Sequence, residues 1–400
     1  MEERTRAYLR GRFRDHYRRE TRDAGSGDST RERRADLPLP PEADAREWGY
    51  IPWTDGSTRM VRHQSLLELG EVGDFLRRER PRHVYFSAGR YDDPGADDMD
   101  AKGWRESDLV FDIDADHLSG VDPQRDAYGE MLARGKAELR DLLDFLTSDF
   151  GFEDLTAVFS GGRGYHVHVR DEGVGDLGRD ARREIVDYVR GEGVELDALQ
   201  RTEMGTTATR RVLDTDGGWG RRVHRAMLAL ADELLELPEE EALDRLQEFD
   251  RIGESRATTI LGAVSDDYET LAAGNLERGG PGIRQLATVT TERVVADESA
   301  AIDEPVTTDL RRLIRLPGSL HGGTGLEVTR VPLDDVDSFD PLVDAVADTF
   351  VGHDVAVEVT DPGSVALRDE SFTLPEGDVS VPEYVAVFLM ASGRAEKGRE

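Results

Sequence analysis

From residue 108 to 116, apolar Leu109, Phe111, Ile113 and Ala115 alternate with acidic Asp108, Asp112, Asp114 and Asp116, Val110 alone breaking the acidic row. A period of two predicts a strand over 107–115, with the apolar side chains on one face and the carboxylates on the other. The stretch 82–91, RHVYFSAGRY, predicts another strand just upstream. Over 124–149, Leu139, Leu142, Leu143 and Leu146 fall at helical spacing, so one long helix on the sheet is expected. LTAVFSGGRGYHVHV, 155–169, holds two strand-like runs around a glycine-rich turn and reads as a hairpin. Residues 178–278 are helical in pattern, an inserted helical subdomain, and IGESRATTIL within it reads as an ordinary helix start rather than a DNA-backbone clamp. Strand character returns over 312–333, in HDVAVEV and over 364–374. Near the N-terminus, Leu9, Phe13 and Tyr17 recur among arginines over 4–20, an amphipathic basic helix better suited to packing than to nucleic acid. A polar connection, 21–44, follows it. The order suits an α/β (α+β) class with mixed or antiparallel sheets, divided as 1–195, a helical insertion 196–295, and 296–400.

Length agrees with that division, since 400 residues suffice for two domains or one large domain with an insertion. Charge changes the picture more. The net charge is −33, from 84 acidic and 51 basic residues, and only three of the basic ones are lysine against 48 arginines. Such a balance argues against an ordinary nucleic-acid binder. A salt-loving source removes the conflict, because in about molar salt the Debye length is about 3 Å and short-range arginine contacts outweigh diffuse repulsion. No run approaches the roughly 18 apolar residues of a membrane span, and the arginine-rich start lacks a signal's apolar segment, so a cytoplasmic protein with no membrane partner is expected. The chain has no cysteine, which confines any metal to carboxylates, imidazoles or carbonyls.

Three stretches carry candidate chemistry. Asp112 and Asp114 share a strand face roughly 6.5–7 Å apart, where like charges raise each other's pKa unless a cation lies between them. That pattern fits a divalent-ion site or, alternatively, a solvated acidic strand. SGGRGYHVHV has Gly161, Gly162 and Gly164 to admit an anion and Arg163 to grip phosphate oxygens. His166 adjoins that turn and reads as functional, whereas His168 reads as a satisfied structural histidine. RLIRLPGSLHGGTGL joins Arg315 to His321 in a second anion-facing loop, preceded by Asp303 and Asp309 as further carboxylates. Together these are the parts that nucleotidyl transfer requires: metal ligands and a triphosphate cradle.

FDIDAD, SGGRGYHVHV and DEPVTTDLRRLIRLPGSLHGGTGL resemble the three motifs of the archaeal/eukaryotic DNA primase small (catalytic) subunit. The resemblance runs in order from about Arg46 to Val331, with REWGYIPW and VRHQS upstream, and the composition points to a halophilic archaeon. It implies a primase fold that is not a Rossmann sheet, and synthesis of short RNA primers on single-stranded DNA, with deoxynucleotide use left open. By position, it implies that Asp112, Asp114 and Asp303 bind two Mg²⁺ or Mn²⁺ ions and that Glu47 is an active-site glutamate. Ser160, Arg163 and His166 would hold the incoming nucleotide's phosphates, with Arg315 and His321 completing the cradle and Arg62 a further nucleotide contact. Asp116 and Asp309 match no catalytic role. The implied partners are a large regulatory subunit in a heterodimer, single-stranded DNA template and nucleoside triphosphates. Competing readings are a primase-polymerase relative in repair or plasmid replication, a metal-dependent nuclease, and an inactive nucleic-acid-binding subunit. One departure stands out: the family usually carries a Cys/His zinc knuckle here, but HLSGVDPQRDAYGEMLARGK has no cysteine. No structural zinc is therefore expected, since His117 alone cannot anchor one.

Overall fold

In the computed structural model the expected strand 107–115 is divided: Ser107 ends the strand Trp104–Ser107, and Leu109–Asp114 forms another in a different sheet. The break falls at Asp108, whose N–H donates to the Ala88 carbonyl at 3.0 Å. Arg182 takes the carbonyls on either side of the junction, donating to Asp108 O at 2.9 Å and Ser107 O at 2.7 Å. Asp108 itself is buried against Arg46 and Arg170, each at 2.9 Å. The structure describes residues 1–22, 37–54, 59–118, 120–121, 127–204, 209–277 and 280–399. Residues 23–36 of the expected connection, and residues 119 and 122–126 of the segment that replaces the zinc knuckle, lie outside them.

Every described strand pair is antiparallel. The first sheet orders Val61–Gln64, Arg46–Ile51, His83–Tyr91 and Leu313–Arg315, with Trp104–Ser107 also paired to His83–Tyr91. The second orders Thr329–Val331, Leu155–Phe159, Gly164–Val169 and Leu109–Asp114. Its register sets Asp112 opposite His166 and Asp114 opposite Gly164. Phe111, Ile113 and Ala115 are fully buried on the face away from the carboxylates, so core packing pins the register that aims the aspartates. Ala115, Leu118 and Met131 form a small apolar cluster, flanked by Val121 and Tyr128, beside the segment without cysteines.

The chain divides into two compact units: 1–139, 153–183 and 302–400 in one, 140–152 and 184–301 in the other. In the first, the helix Glu3–Arg22 buries Leu9, Phe13 and Tyr17, and Arg12 Nε lies 2.6 Å from buried Glu383, so the basic helix is a packing element. The C-terminal part adds a three-stranded sheet, the hairpin Gly363–Leu367/Glu370–Leu374 and the buried helix Glu383–Ala391.

The second unit is mostly helical. IGESRATTIL begins the ordinary helix Glu254–Asp266. The unit also holds a strand pair, Gln200–Met204 with Thr209–Leu213, that the sequence reading did not anticipate. The expected helix 124–149 is α-helical over Tyr128–Asp144 and ends in a π turn, Phe145–Asp149. That turn belongs to the helical unit because Phe145 packs on Tyr188 and Trp219, with ring centroids 6.2 and 5.1 Å apart, and on Arg222 at 3.8 Å.

Gly164 tests the register directly. A Cβ added there would lie 1.9 Å from the Ile113 carbonyl oxygen, which cannot move without breaking the strand pair. Gly164→Ala is expected to destabilise the first unit by about 2–3 kcal/mol, the cost of forced overpacking. Denaturant unfolding at high salt measures this, and an unchanged midpoint would contradict the register.

Candidate active site

The antiparallel pairing brings the acidic strand and the glycine turn to the same end of the second sheet, at one cavity of about 670 Å³. Asp112, Asp114, Asp116, Ser160, Arg163, His166, Arg315 and His321 all line it. Eight polar side chains from three separate stretches thus converge on one space.

Asp112 Oδ1 lies 3.2 Å from His166 Nε2. Burial pushes its carboxyl up, but His166, Arg312 and Arg315 together hold it below the usual range. Asp114 goes the other way, to about 6, pushed up by burial, by the hydrogen bond and repulsion it shares with Asp116, and by Asp112. Asp116 pairs with Arg163. Its own carboxyl is lowered despite burial, through its bond with Asp114 and the charges of Arg163 and His117. Donor atoms of Asp114, Asp116 and His117 lie within 4.8 Å of one another. Carboxylate oxygens at a partly open edge, one of them raised by burial and by its acidic neighbours, form a donor set that fits a hard divalent cation.

The glycine turn is closed by Ser160, whose Oγ accepts from the N–H groups of Gly162 and Gly164, both at 3.3 Å. Those N–H groups are therefore committed, and the Ser160 hydroxyl hydrogen remains to donate into the cavity. Gly161 has φ 74°, and a Cβ there would lie 2.7 Å from the His321 Cβ, so the two loops interlock at a position only glycine fills. Thr324 Oγ1 donates to the Gly161 carbonyl at 2.5 Å and ties them further. Burial, then Arg315, His83, Arg82 and Arg163, keep the His321 imidazole neutral. Its Nδ1 lies 3.1 Å from Thr324 Oγ1 and 3.3 Å from the Gly323 nitrogen, so the loop's own groups hold that edge of the ring. Arg315 stacks over Tyr85 at 5.8 Å, and its Nε is buried with no hydrogen-bond partner among the described residues.

A sequence profile described as "DNA primase small subunit" matches residues 111–334. The DNA primase small subunit PriS of Haloarcula marismortui is 60% identical over 100% of both chains, and that of Halorubrum lacusprofundi 55% over 100% of both. The Methanothrix thermoacetophila protein of the same name is 41% identical, again over 100% of both chains. This chain belongs to the DNA primase small subunit family. The expected enzyme class, a primase nucleotidyltransferase, follows with the family, as do the α/β primase fold and the likeness to halophilic archaea. The nuclease and repair-polymerase readings are not favoured beside full-length matches of one name.

Three expected site residues of this primase, Asp303, Glu47 and Arg62, are not among those lining the cavity. Asp303 touches the acidic strand through its backbone, its N–H donating to the Asp112 carbonyl at 2.9 Å where it begins the short helix Glu304–Thr308. Its carboxylate is not among the described groups lining the cavity. Glu47 is buried in the first sheet, accepting from Arg62 Nε and the His63 N–H, both at 3.1 Å, with Lys102 Nζ at 3.2 Å. Burial pushes its carboxyl up, but Arg62, His63 and Lys102 hold it low. Arg62 lines a neighbouring groove rather than the cavity. His168 is structural: buried, parallel to Phe86 at 5.8 Å and 3.6 Å from Asp108.

Sequence reasoning set Asp116 aside, although the same alternation that marked its neighbours marked it. It also missed Tyr128, whose hydroxyl donates to the Gly162 carbonyl, and Phe388 and Arg394 on the far wall of the cavity. No local signal marks those three, because only the fold brings them there. Among the described residues, no helix is long and apolar enough to cross a membrane.

Proposed function

We propose that this primase subunit makes short RNA primers on single-stranded DNA by nucleotidyl transfer in the Asp112–Asp114 cavity. The observation that supports the reading most is that one cavity joins the carboxylate cluster to the Ser160, Arg163, Arg315 and His321 cradle. Neither half alone suffices: a nuclease has no need of the cradle, and a nucleotide-binding module has no need of the carboxylates.

Asp112 and Asp114, with Asp116 and His117 beside them, would hold Mg²⁺ or Mn²⁺; such ions, when bound, lower the pKa of the attacking 3′-hydroxyl and offset charge on the phosphates. Asp303, fixed to the Asp112 backbone, is the proposed third carboxylate. His166 orients Asp112 from 3.2 Å. The Ser160 hydroxyl and the neutral His321 imidazole would face the triphosphate oxygens, and Arg163 and Arg315 neutralise the charge that develops on pyrophosphate. A large regulatory subunit, DNA template and nucleoside triphosphates are the proposed partners, and the cytoplasm the proposed location.

Template-directed incorporation of labelled nucleotides at high salt, on single-stranded DNA with and without primer, tests this reading. Unprimed, divalent-dependent product is expected; no product under any salt or metal condition, with the large subunit added, would sink it. The carboxylate cluster makes a separate prediction. In metal-free protein Asp114 should titrate at about 6, and added Mg²⁺ should lower that midpoint, because a bound cation favours the ionised form. Carboxyl-carbon NMR follows the titration, and a midpoint that Mg²⁺ leaves unmoved would contradict the ion site.

A further inference from the structure

A second groove, of about 380 Å³, lies against the cavity and shares three residues with it: Asp112, His166 and Arg315. Its remaining lining includes Arg62, Arg311, Arg312, Tyr85 and Asp309. Four arginines against two aspartates make it locally positive, in a chain whose net charge is −33. Such a reversal in so acidic a protein points to a polyanion held at short range.

The arginines differ in how they are held. Arg62 is anchored by buried Glu47, which Lys102 also holds from its other oxygen, so this pair sets the guanidinium in place. Arg311 is partly neutralised by Asp309, whose Oδ1 lies 4.0 Å from its Nε and accepts from its backbone N–H at 3.0 Å. Arg312 forms no ion pair among the described residues; its charge acts on Asp112. Arg315 faces both spaces, with an unpartnered buried Nε.

We infer that this groove holds the phosphodiester backbone of the primer strand, whose 3′-hydroxyl attacks the nucleotide. The inference rests on the reading of the cavity given above. In-line phosphoryl transfer puts the entering and leaving oxygens on opposite sides of phosphorus. The cradle of Ser160, Arg163 and His321 occupies the cavity side, where pyrophosphate leaves. The attacking strand must then reach Asp112 through a space other than the one the triphosphate fills, and the arginine groove is a second space that Asp112 lines. Phosphate contacts by Arg62, Arg311 and Arg312 would fix its register without reading sequence, as primer extension on any template demands. Glu47 thereby becomes a positioning residue, acting on the primer through Arg62.

The test is steady-state extension of an RNA-primed DNA template by the full chain at high salt, varying primed template and nucleotide separately. Arg312→Gln should raise KM for primed template by about tenfold, the loss of one charge-assisted contact. KM for nucleotide should stay within about twofold, Arg312→Lys should restore part of the loss, and the salt slope for primed template should fall by about one. Arg311→Gln, at a more exposed and Asp309-paired site, serves as a second variant with a smaller effect. Binding of unprimed single-stranded DNA should not change. An equal loss with unprimed DNA would assign the groove to template and overturn the proposal. So would a raised nucleotide KM beside an unchanged primed-template KM. Wild-type protein that extends no primer would instead overturn the functional reading itself.

Discussion

Replacing Asp112 and Asp114 together by alanine is expected to lower nucleotide incorporation by about a thousandfold or more, while the protein remains folded. The loss corresponds to the several kcal/mol of transition-state stabilisation that bound divalent ions supply. Stability should hold, because these carboxylates repel one another: Asp114 is pushed up to about 6 by burial, Asp116 and Asp112. Removing them relieves that repulsion at the cost of the contact of Asp112 with His166 and those of Asp114 with Asp116 and His117 at the partly open edge. Parallel assays of incorporation and thermal unfolding separate the two effects. Activity retained within tenfold would show that the acidic strand is not the reacting centre, and a collapsed melting temperature would make its aspartates structural.

Asp108→Ala should do the opposite, unfolding the first unit and removing activity only as a consequence. Its carboxylate is fully buried between Arg46 and Arg170, with His168 at 3.6 Å. Burial raises its pKa, but His168, Arg46 and Arg170 overcome that and hold it well below the usual carboxylate range. Alanine leaves the buried Arg46 guanidinium without its counter-charge, a change that costs about 3–5 kcal/mol. The pH dependence has a definite sign. A depressed folded pKa means that Asp108 stabilises the protein above its ordinary value of about 3.9, and that this contribution is lost as pH falls toward the folded value. Urea unfolding of wild type and variant should therefore differ most at neutral pH and converge in acid. A variant as stable as wild type at pH 7 would contradict the buried ion cluster.

These two predictions divide four aspartates that look alike in the sequence. Alternation placed all of them on one face, and Asp112, Asp114 and Asp116 do line one cavity. Asp108 escaped that reading because the break in the strand is made by Arg46 and Arg182, residues distant in the chain that capture its carboxylate and carbonyl. The loops were legible for a different reason. Gly161 and Gly164 sit where a Cβ would strike His321 or Ile113, so the spacing of glycine, arginine and histidine is itself a record of the contact. The surroundings of Asp303 and Glu47 are not legible in motif position: one reaches Asp112 by its backbone, the other is buried against Arg62 and Lys102. The strand pair in the helical unit was hidden because Gln200–Met204 has no buried face to alternate. The arginine groove was hidden as well, since Val61–Gln64, which carries Arg62, pairs with Arg46–Ile51, and that strand and Leu313–Arg315 flank His83–Tyr91.

The central claim is that one cavity holds divalent ions on the acidic strand and a triphosphate on the two interlocked loops. Anomalous diffraction from crystals containing Mn²⁺ and a non-hydrolysable nucleoside triphosphate tests it most directly. The account predicts manganese peaks on Asp112 and Asp114, with triphosphate oxygens against Ser160, Arg163 and His321. Manganese on other carboxylates, or a nucleotide bound away from these loops, would contradict it.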